Sequence, residues 1–233
     1  MYAFVTGANR GLGRGFLDYL INQKYFVFAG TRNISSKEKG TDFLKWVKLD
    51  VSDDVSIEKA ISLIRQKTNK LDLLVNNAGL NKDSATNNKK EGVCNLDQLD
   101  RKSLNTMFDV NAVSPLILIK NSLPLLSQTE SFIINISSCR ASYHDEFENT
   151  TGNYGYRASK IALNMLTFTS TWDLPKNVKI FAVHPGSVKS DMNLTGTDLP
   201  YDQAQKIMEI TKKWNNDFNG KFLKYDGKFY PLW

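Results

Sequence analysis

The chain is poor in the residues that build metal centres and disulfide frameworks. Among its 233 residues only two are cysteine, Cys94 and Cys139, and only two are histidine, His144 and His184. The cysteines lie far apart and match neither a metal nor a redox spacing, which excludes a disulfide scaffold and fits a reducing compartment. Two isolated histidines leave a zinc site short of ligands, so no metal is expected. No long uncharged apolar run occurs, and no basic leader with an apolar core stands before the first strand-like residues. No membrane association is expected, and the expected location is cytoplasmic. Positive charge is also unclustered. The 30 Lys and Arg against 24 Asp and Glu give a net charge of +6, and the one short run, Lys89-Lys90, is followed at once by Glu91. Nucleic acid is therefore not an expected partner, because its electrostatic footprint is a basic stripe.

What is present is an alternation of two patterns. Ala3–Thr6, Tyr25–Ala29, Trp46–Leu49, Leu71–Val75, Phe132–Ile136 and Val178–Val183 are short, apolar and rich in β-branched or aromatic residues. Unbroken apolar runs of this length mark strands buried on both faces, as in a parallel sheet. Between them, Leu12, Phe16, Leu17, Leu20 and Ile21 recur at helical spacing, as do Ile57, Ala60, Ile61 and Ile64 behind an Asp53 or Ser52 cap. Longer helical stretches are predicted over about 99–126 and 156–172. Met165, Leu166 and Phe168 are expected in the helix core. Repeated strand–helix units imply a doubly wound parallel sheet in three α/β/α layers, as one domain over residues 1–233. Residues 81–95 read as a polar surface loop, and 187–216 as a loop followed by a helix.

The first strand runs into Thr6-Gly7-Ala8-Asn9-Arg10-Gly11-Leu12-Gly13 and then into a helix. Glycines suit a tight turn and let a phosphate reach the backbone, while the helix N-terminus offers free N–H groups and a favourable dipole. This spacing, G-x-x-x-G-x-G, differs from the common dinucleotide fingerprint, but its place after the first strand of a βαβ unit supports a Rossmann-like reading.

Further motifs follow in order: Asp50-Val51, Asn76-Asn77-Ala78-Gly79, Asn111 in a long helix, Ser137-Ser138 after the fifth strand, Tyr156-x-x-x-Lys160 and Pro185-Gly186. Together with the glycine turn, this set resembles the short-chain dehydrogenases/reductases over nearly the whole chain. Asn219-Gly220-Lys221-Phe222 and Tyr225-Asp226-Gly227 resemble the sniffer and C-factor-like carbonyl reductase branch. The resemblance implies an oxidoreductase that reduces aldehydes, ketones or quinones. It places Gly7, Asn9, Arg10, Gly11, Leu12 and Gly13 around the cofactor phosphates, and Asp50 and Val51 beside its adenine. Asn77, Ala78 and Gly79 fall near the riboses, and Pro185, Gly186 and Val188 border the nicotinamide. Ser190 stands where the family has threonine and can still bond the carboxamide.

The residues also carry chemistry of their own. Carbonyl reduction needs a proton donor within hydrogen-bond reach of the forming alkoxide. Tyr156 and Lys160 are four apart on one helix and share a face, so the lysine is expected to lower the tyrosine's pKa and to hold the nicotinamide ribose. Ser138 would bond the substrate oxygen, and Asn111, by resemblance, would hold a water that resupplies the proton. His184 reads as structural, and Cys139 lacks a base to activate it. No acid follows the second strand, Phe28-Ala29-Gly30-Thr31-Arg32, to take a ribose 2′-hydroxyl; Arg32 and Arg10 are instead expected to converge on a 2′-phosphate, which favours NADPH. Residues 143–152 lengthen the Ser138–Tyr156 connection, and Tyr143 and Phe147 are expected to form an apolar substrate wall. Two rivals stay open: a specialised reductase of acyl-thioester, pteridine or sugar substrates, and a cofactor-binding regulatory protein without turnover. Assembly as a homodimer or homotetramer is left open as well.

Overall fold

The computed structural model describes residues 1–35, 39–81, 96–144 and 152–231. Six of its strands are the apolar runs: β1 (Tyr2–Thr6), β2 (Phe26–Thr31), β3 (Leu44–Lys48), β4 (Leu73–Asn76), β5 (Ser131–Ile136) and β6 (Val178–His184). A seventh, β7 (Phe222–Lys224), is only three residues long and was not predicted, because so short a segment carries no periodicity. All pair in parallel in the order β3-β2-β1-β4-β5-β6-β7. The order reverses between β1 and β4, so a crevice opens there beyond the strands' C-terminal ends.

Helices α1 (Gly11–Asn22) and α6 (Pro200–Lys212) pack on one face around Phe16, Leu17, Leu20 and Ile207. Helices α2 (Asp54–Arg65) and α4 (Ser114–Leu126) pack on the other around Phe4, Phe28, Ile57 and Leu118. Each sheet face thus removes a continuous apolar surface from water, the dominant stabilising term in such a fold. Asp53, not Ser52, caps α2 by accepting from the Val55 N–H at 3.0 Å.

The long stretch predicted over 99–126 is divided. Helix α3 (Arg101–Phe108) passes through a π-helical turn, Asp109–Val113, into α4. A wide turn of this kind adds a residue to the helical ladder and re-aims the side chains it carries. Here it carries Asn111. Helix α5 (Tyr154–Ser170) lies beside that turn and over β6. Met165 and Phe168 are half exposed rather than in the core. With Ile161 they form a flank of α5 that, together with Ala141, Tyr143 and Phe222, lines a cavity of about 270 Å³. Tyr143 thereby lines this cavity; Phe147 and the three carboxylates around it, Asp145, Glu146 and Glu148, lie outside the described residues, as do 82–95 of the polar loop. No helix among the described residues is long and apolar enough to cross a membrane.

Candidate functional site

The crevice is floored by the loop between β1 and α1. Gly7 has φ +64°, a conformation that side chains rarely adopt, and it turns the chain sharply off the strand. A Cβ on Gly13 would lie 2.2 Å from the Gly7 carbonyl oxygen, so the loop closes on the helix only because residue 13 is bare. Arg10 occupies the N-cap of α1 in an extended conformation without capping it, and the first turn has no acid. The helix therefore presents unpaired N–H groups and its positive dipole end to the crevice, the donor set that a pyrophosphate requires. On that observation the residues fit a dinucleotide. Leu12 anchors the loop in the core, while Asn9 is exposed.

Asn77 does something that the sequence did not reveal. Its Nδ2 donates to the carbonyls of Thr6 (2.9 Å) and Gly7 (3.1 Å), and its backbone N–H donates to Thr6 Oγ1 at 3.0 Å. Ala78 N–H donates to the same hydroxyl, also at 3.0 Å. Thr6 and Asn77 thus tie the glycine loop to the end of β4, and the Asn77 amide is spent on shaping the cradle. Asp50 is fixed in turn by Ser52, whose N–H and Oγ both donate to its Oδ1, and Val51 is buried against the α2 side of the core.

The two arginines stand in different surroundings. Arg32 is exposed just beyond β2. Arg10 reaches the other way, pairing with Asp191 at 2.6 Å, with both side chains largely in water. That contact joins the glycine loop to the segment after β6. Gly11 lies there too, since a Cβ on it would come 3.1 Å from Ser190 Cβ. In that segment Gly186 has φ +84°, Asp198 Oδ2 accepts from the Ser187 N–H at 2.8 Å, and buried Val188 bridges to Asp198. Ser190 pairs with Asn193 in a tight turn. Ser190 and Asp191 thus bring the segment that begins at Pro185, Gly186 and Val188 up to the glycine loop.

The reacting groups meet at the C-terminal ends of β4 and β5. Asn111 is fully buried: its Oδ1 accepts from Leu80 N–H (2.8 Å), and its Nδ2 donates to Leu80 O (2.8 Å) and Ser159 Oγ (3.0 Å). Its side chain is thus committed to protein. Lys160 is only 4% exposed, and its Nζ donates to the Ile136 carbonyl at 2.7 Å. Burial lowers its pKa to about 8, so its charge is lost at mildly alkaline pH. A Cβ on Gly79 would lie 3.4 Å from Asn111 Oδ1 and 3.8 Å from Lys160 Nζ, which sets these three residues around one small space.

Tyr156 and Lys160 do share a face, with Nζ 5.8 Å from the ring centroid. The electrostatics differ from expectation, however. Burial raises the Tyr156 pKa, and what counters it is a hydrogen bond from Ser138 and the charge of Arg140; Lys160 is not among the causes. The phenol is accordingly held protonated, the form that a proton donor needs. Ser138 Oγ also accepts from the Arg140 N–H at 3.2 Å, at the start of a 3₁₀ turn over Cys139–Ala141. Asn111, Ser138, Tyr156 and Lys160 are so brought together, with Ser159 and Leu80 as supports that no motif marked.

Comparison with known proteins agrees with this geometry. The short chain dehydrogenase family profile matches residues 1–198. The short chain dehydrogenase gsfK of Penicillium aethiopicum is 31% identical over 96% of this chain and 96% of its own. Among solved structures, the carbonyl reductase Sniffer of D. melanogaster superposes with a TM-score of 0.86 at 28% identity, covering 99% of this chain and 98% of its own. The NADPH-bound carbonyl reductase from chicken fatty liver gives 0.84 at 28% identity over the same shares.

Proposed function

The chain belongs to the short-chain dehydrogenase family of oxidoreductases, and from that premise we propose that it is an NADPH-dependent carbonyl reductase of aldehydes, ketones or quinones. The observation that carries this reading is the hydrogen bond from Ser138 to a Tyr156 phenol that burial keeps protonated, with Lys160 on the same helix face. Nicotinamide, when bound, supplies the hydride. Ser138 binds the carbonyl oxygen and polarises it, and the Tyr156 phenol passes its proton to the alkoxide as charge develops there. Lys160, whose ammonium lies beside Gly79, holds a ribose hydroxyl and draws a replacement proton past Asn111. The glycine loop and the α1 N-terminus bind the pyrophosphate, and exposed Arg32 takes the 2′-phosphate.

The carbonyl reductase relatives and the absence of an acid after β2 support NADPH over NADH. The test is oxidation of each cofactor by the purified protein with a panel of aldehydes, ketones and quinones. NADPH-supported turnover of one of these classes is the expected result. Tight NADPH binding with no turnover on any of them would favour a regulatory protein instead.

A further inference from the structure

The end of β6 supplies more to the site than the Pro185-Gly186 wall. Strands β5 and β6 pair up to Ile136 and Val183, and the ladder is extended once, where Ser137 N–H donates to Val183 O at 2.8 Å. The next β6 donor would be the N–H of residue 185. That residue is proline and has none, so backbone pairing stops one residue before Ser138. A side chain resumes it. The Cys139 N–H donates to His184 Nδ1 at 3.2 Å, so Ser138 is straddled by two bonds to β6, one to main chain and one to an imidazole.

The imidazole is itself braced. Tyr230 meets it edge-on, with centroids 5.7 Å apart and planes at 89°. Tyr230 in turn stacks on Phe222 at 4.9 Å and donates its N–H to the Phe222 carbonyl. Cys139, Ala182, Phe222 and Tyr230 form a small core of their own, separate from the two main ones. Three residues after Cys139, Ser142 Oγ donates to the Pro231 carbonyl. The turn that carries Ser138 is thus bound on its far side to β6, β7 and the C-terminal segment.

We propose that His184 is a positioning residue for the reaction: its Nδ1 fixes the Cys139–Ala141 turn, and through it the direction of the Ser138 hydroxyl toward Tyr156. The proposal rests on the reductase reading above and goes beyond it. Accepting at Nδ1 requires the neutral ring with its proton on Nε2. Without that acceptor the Cys139 N–H loses the bond that ties the turn to β6, the turn rotates, and Arg140 N–H and Ser138 Oγ move with it.

Two substitutions separate the acceptor from the ring. His184→Asn keeps a carbonyl oxygen at the δ position, whereas His184→Gln moves it one bond further out. His184→Gln is expected to lower kcat by about five- to tenfold, the kinetic equivalent of one neutral hydrogen bond. NADPH affinity, measured by fluorescence titration, is expected to stay unchanged. His184→Asn is expected to restore most of kcat. Isotope-labelled tyrosine NMR gives a readout independent of turnover: the Tyr156 phenol should titrate at higher pH in His184→Gln, having lost its bond from Ser138, and near its original pH in His184→Asn. Equal behaviour of the two variants in both measurements overturns the proposal. Absence of turnover by the unaltered protein on every aldehyde, ketone and quinone overturns the reductase reading instead, and the NMR comparison still decides the role of His184.

Discussion

At the N-terminus of α1 no side chain caps the helix, whereas Asp53 caps α2 and Asp100 caps α3, each accepting from a backbone N–H at 3.0 and 2.8 Å respectively. The same contrast separates the two halves of the crevice. Around the glycine loop, Asn9, Arg10 and Arg32 stand exposed. Around Tyr156, Asn111 is fully buried with three hydrogen bonds, and Lys160 is buried with its ammonium on the Ile136 carbonyl. A surface that must receive an anionic ligand from water keeps its charged side chains exposed to it. A cluster that must hold atoms in one geometry spends its polar groups on the protein. The first design puts free energy into binding, and the second into fixed orientation, which is where catalytic rate comes from.

The sharpest way to break that comparison is to remove one atom from the buried half. Tyr156→Phe keeps the ring and its packing but deletes the hydroxyl. Turnover is expected to fall by at least about a hundredfold, the lower end of general acid catalysis, with NADPH affinity nearly unchanged. Steady-state kinetics and cofactor titration on the same sample check it. Tyr154, half exposed at the start of α5, is the control. If Tyr154→Phe abolished activity and Tyr156→Phe did not, the assignment would have to be exchanged.

In the open half the expected loss lies in binding. Arg32→Ala removes a charge-assisted contact to a 2′-phosphate, on the order of 1.5–3 kcal/mol, or roughly ten- to a hundredfold in NADPH affinity. NADH affinity and kcat at saturating cofactor should hardly change. Equal affinity of the unaltered protein for the two cofactors, untouched by the substitution, would remove Arg32 from the site.

The two halves also differ in how far the sequence exposes them. Six strands and the glycine loop announce themselves through local patterns, because burial on both sheet faces demands apolar runs and a tight turn demands glycine. Asn111, Ser138, Tyr156 and Lys160 are legible by the spacing of a family motif. What holds them is not. The π turn that re-aims Asn111 leaves no periodic mark, and β7 is too short to leave one. The Asn77 bonds to Thr6 and Gly7 span about seventy residues, and the His184 bond to Cys139 spans 45. Such partners are chosen by the fold, so a single sequence shows the residue but not its use. The tuning of Tyr156 escapes the sequence for the same reason: shared helical spacing with Lys160 is local, whereas the burial that raises the phenol's pKa and the Ser138 bond that counters it are tertiary.

Asp191 offers the smallest and most discriminating test, because it decides whether Arg10 belongs to the open half. The Arg10–Asp191 pair is short, at 2.6 Å, yet its two side chains are 64% and 71% exposed. An ion pair in that much water contributes about 0.2–1 kcal/mol, so Arg10 can leave it at little cost. If Arg10 joins Arg32 at the 2′-phosphate, Asp191 competes with that phosphate for the Arg10 guanidinium and also repels its charge. Asp191→Asn is therefore expected to raise NADPH affinity by up to about fivefold at low salt, while NADH affinity stays level. The gain should shrink as salt is raised toward about 1 M, where screening acts within a few ångströms. A fall in NADPH affinity in Asp191→Asn would give the opposite answer. The carboxylate would then be holding Arg10 in the orientation that the phosphate needs, and this exposed pair would belong with the committed geometry of the buried half.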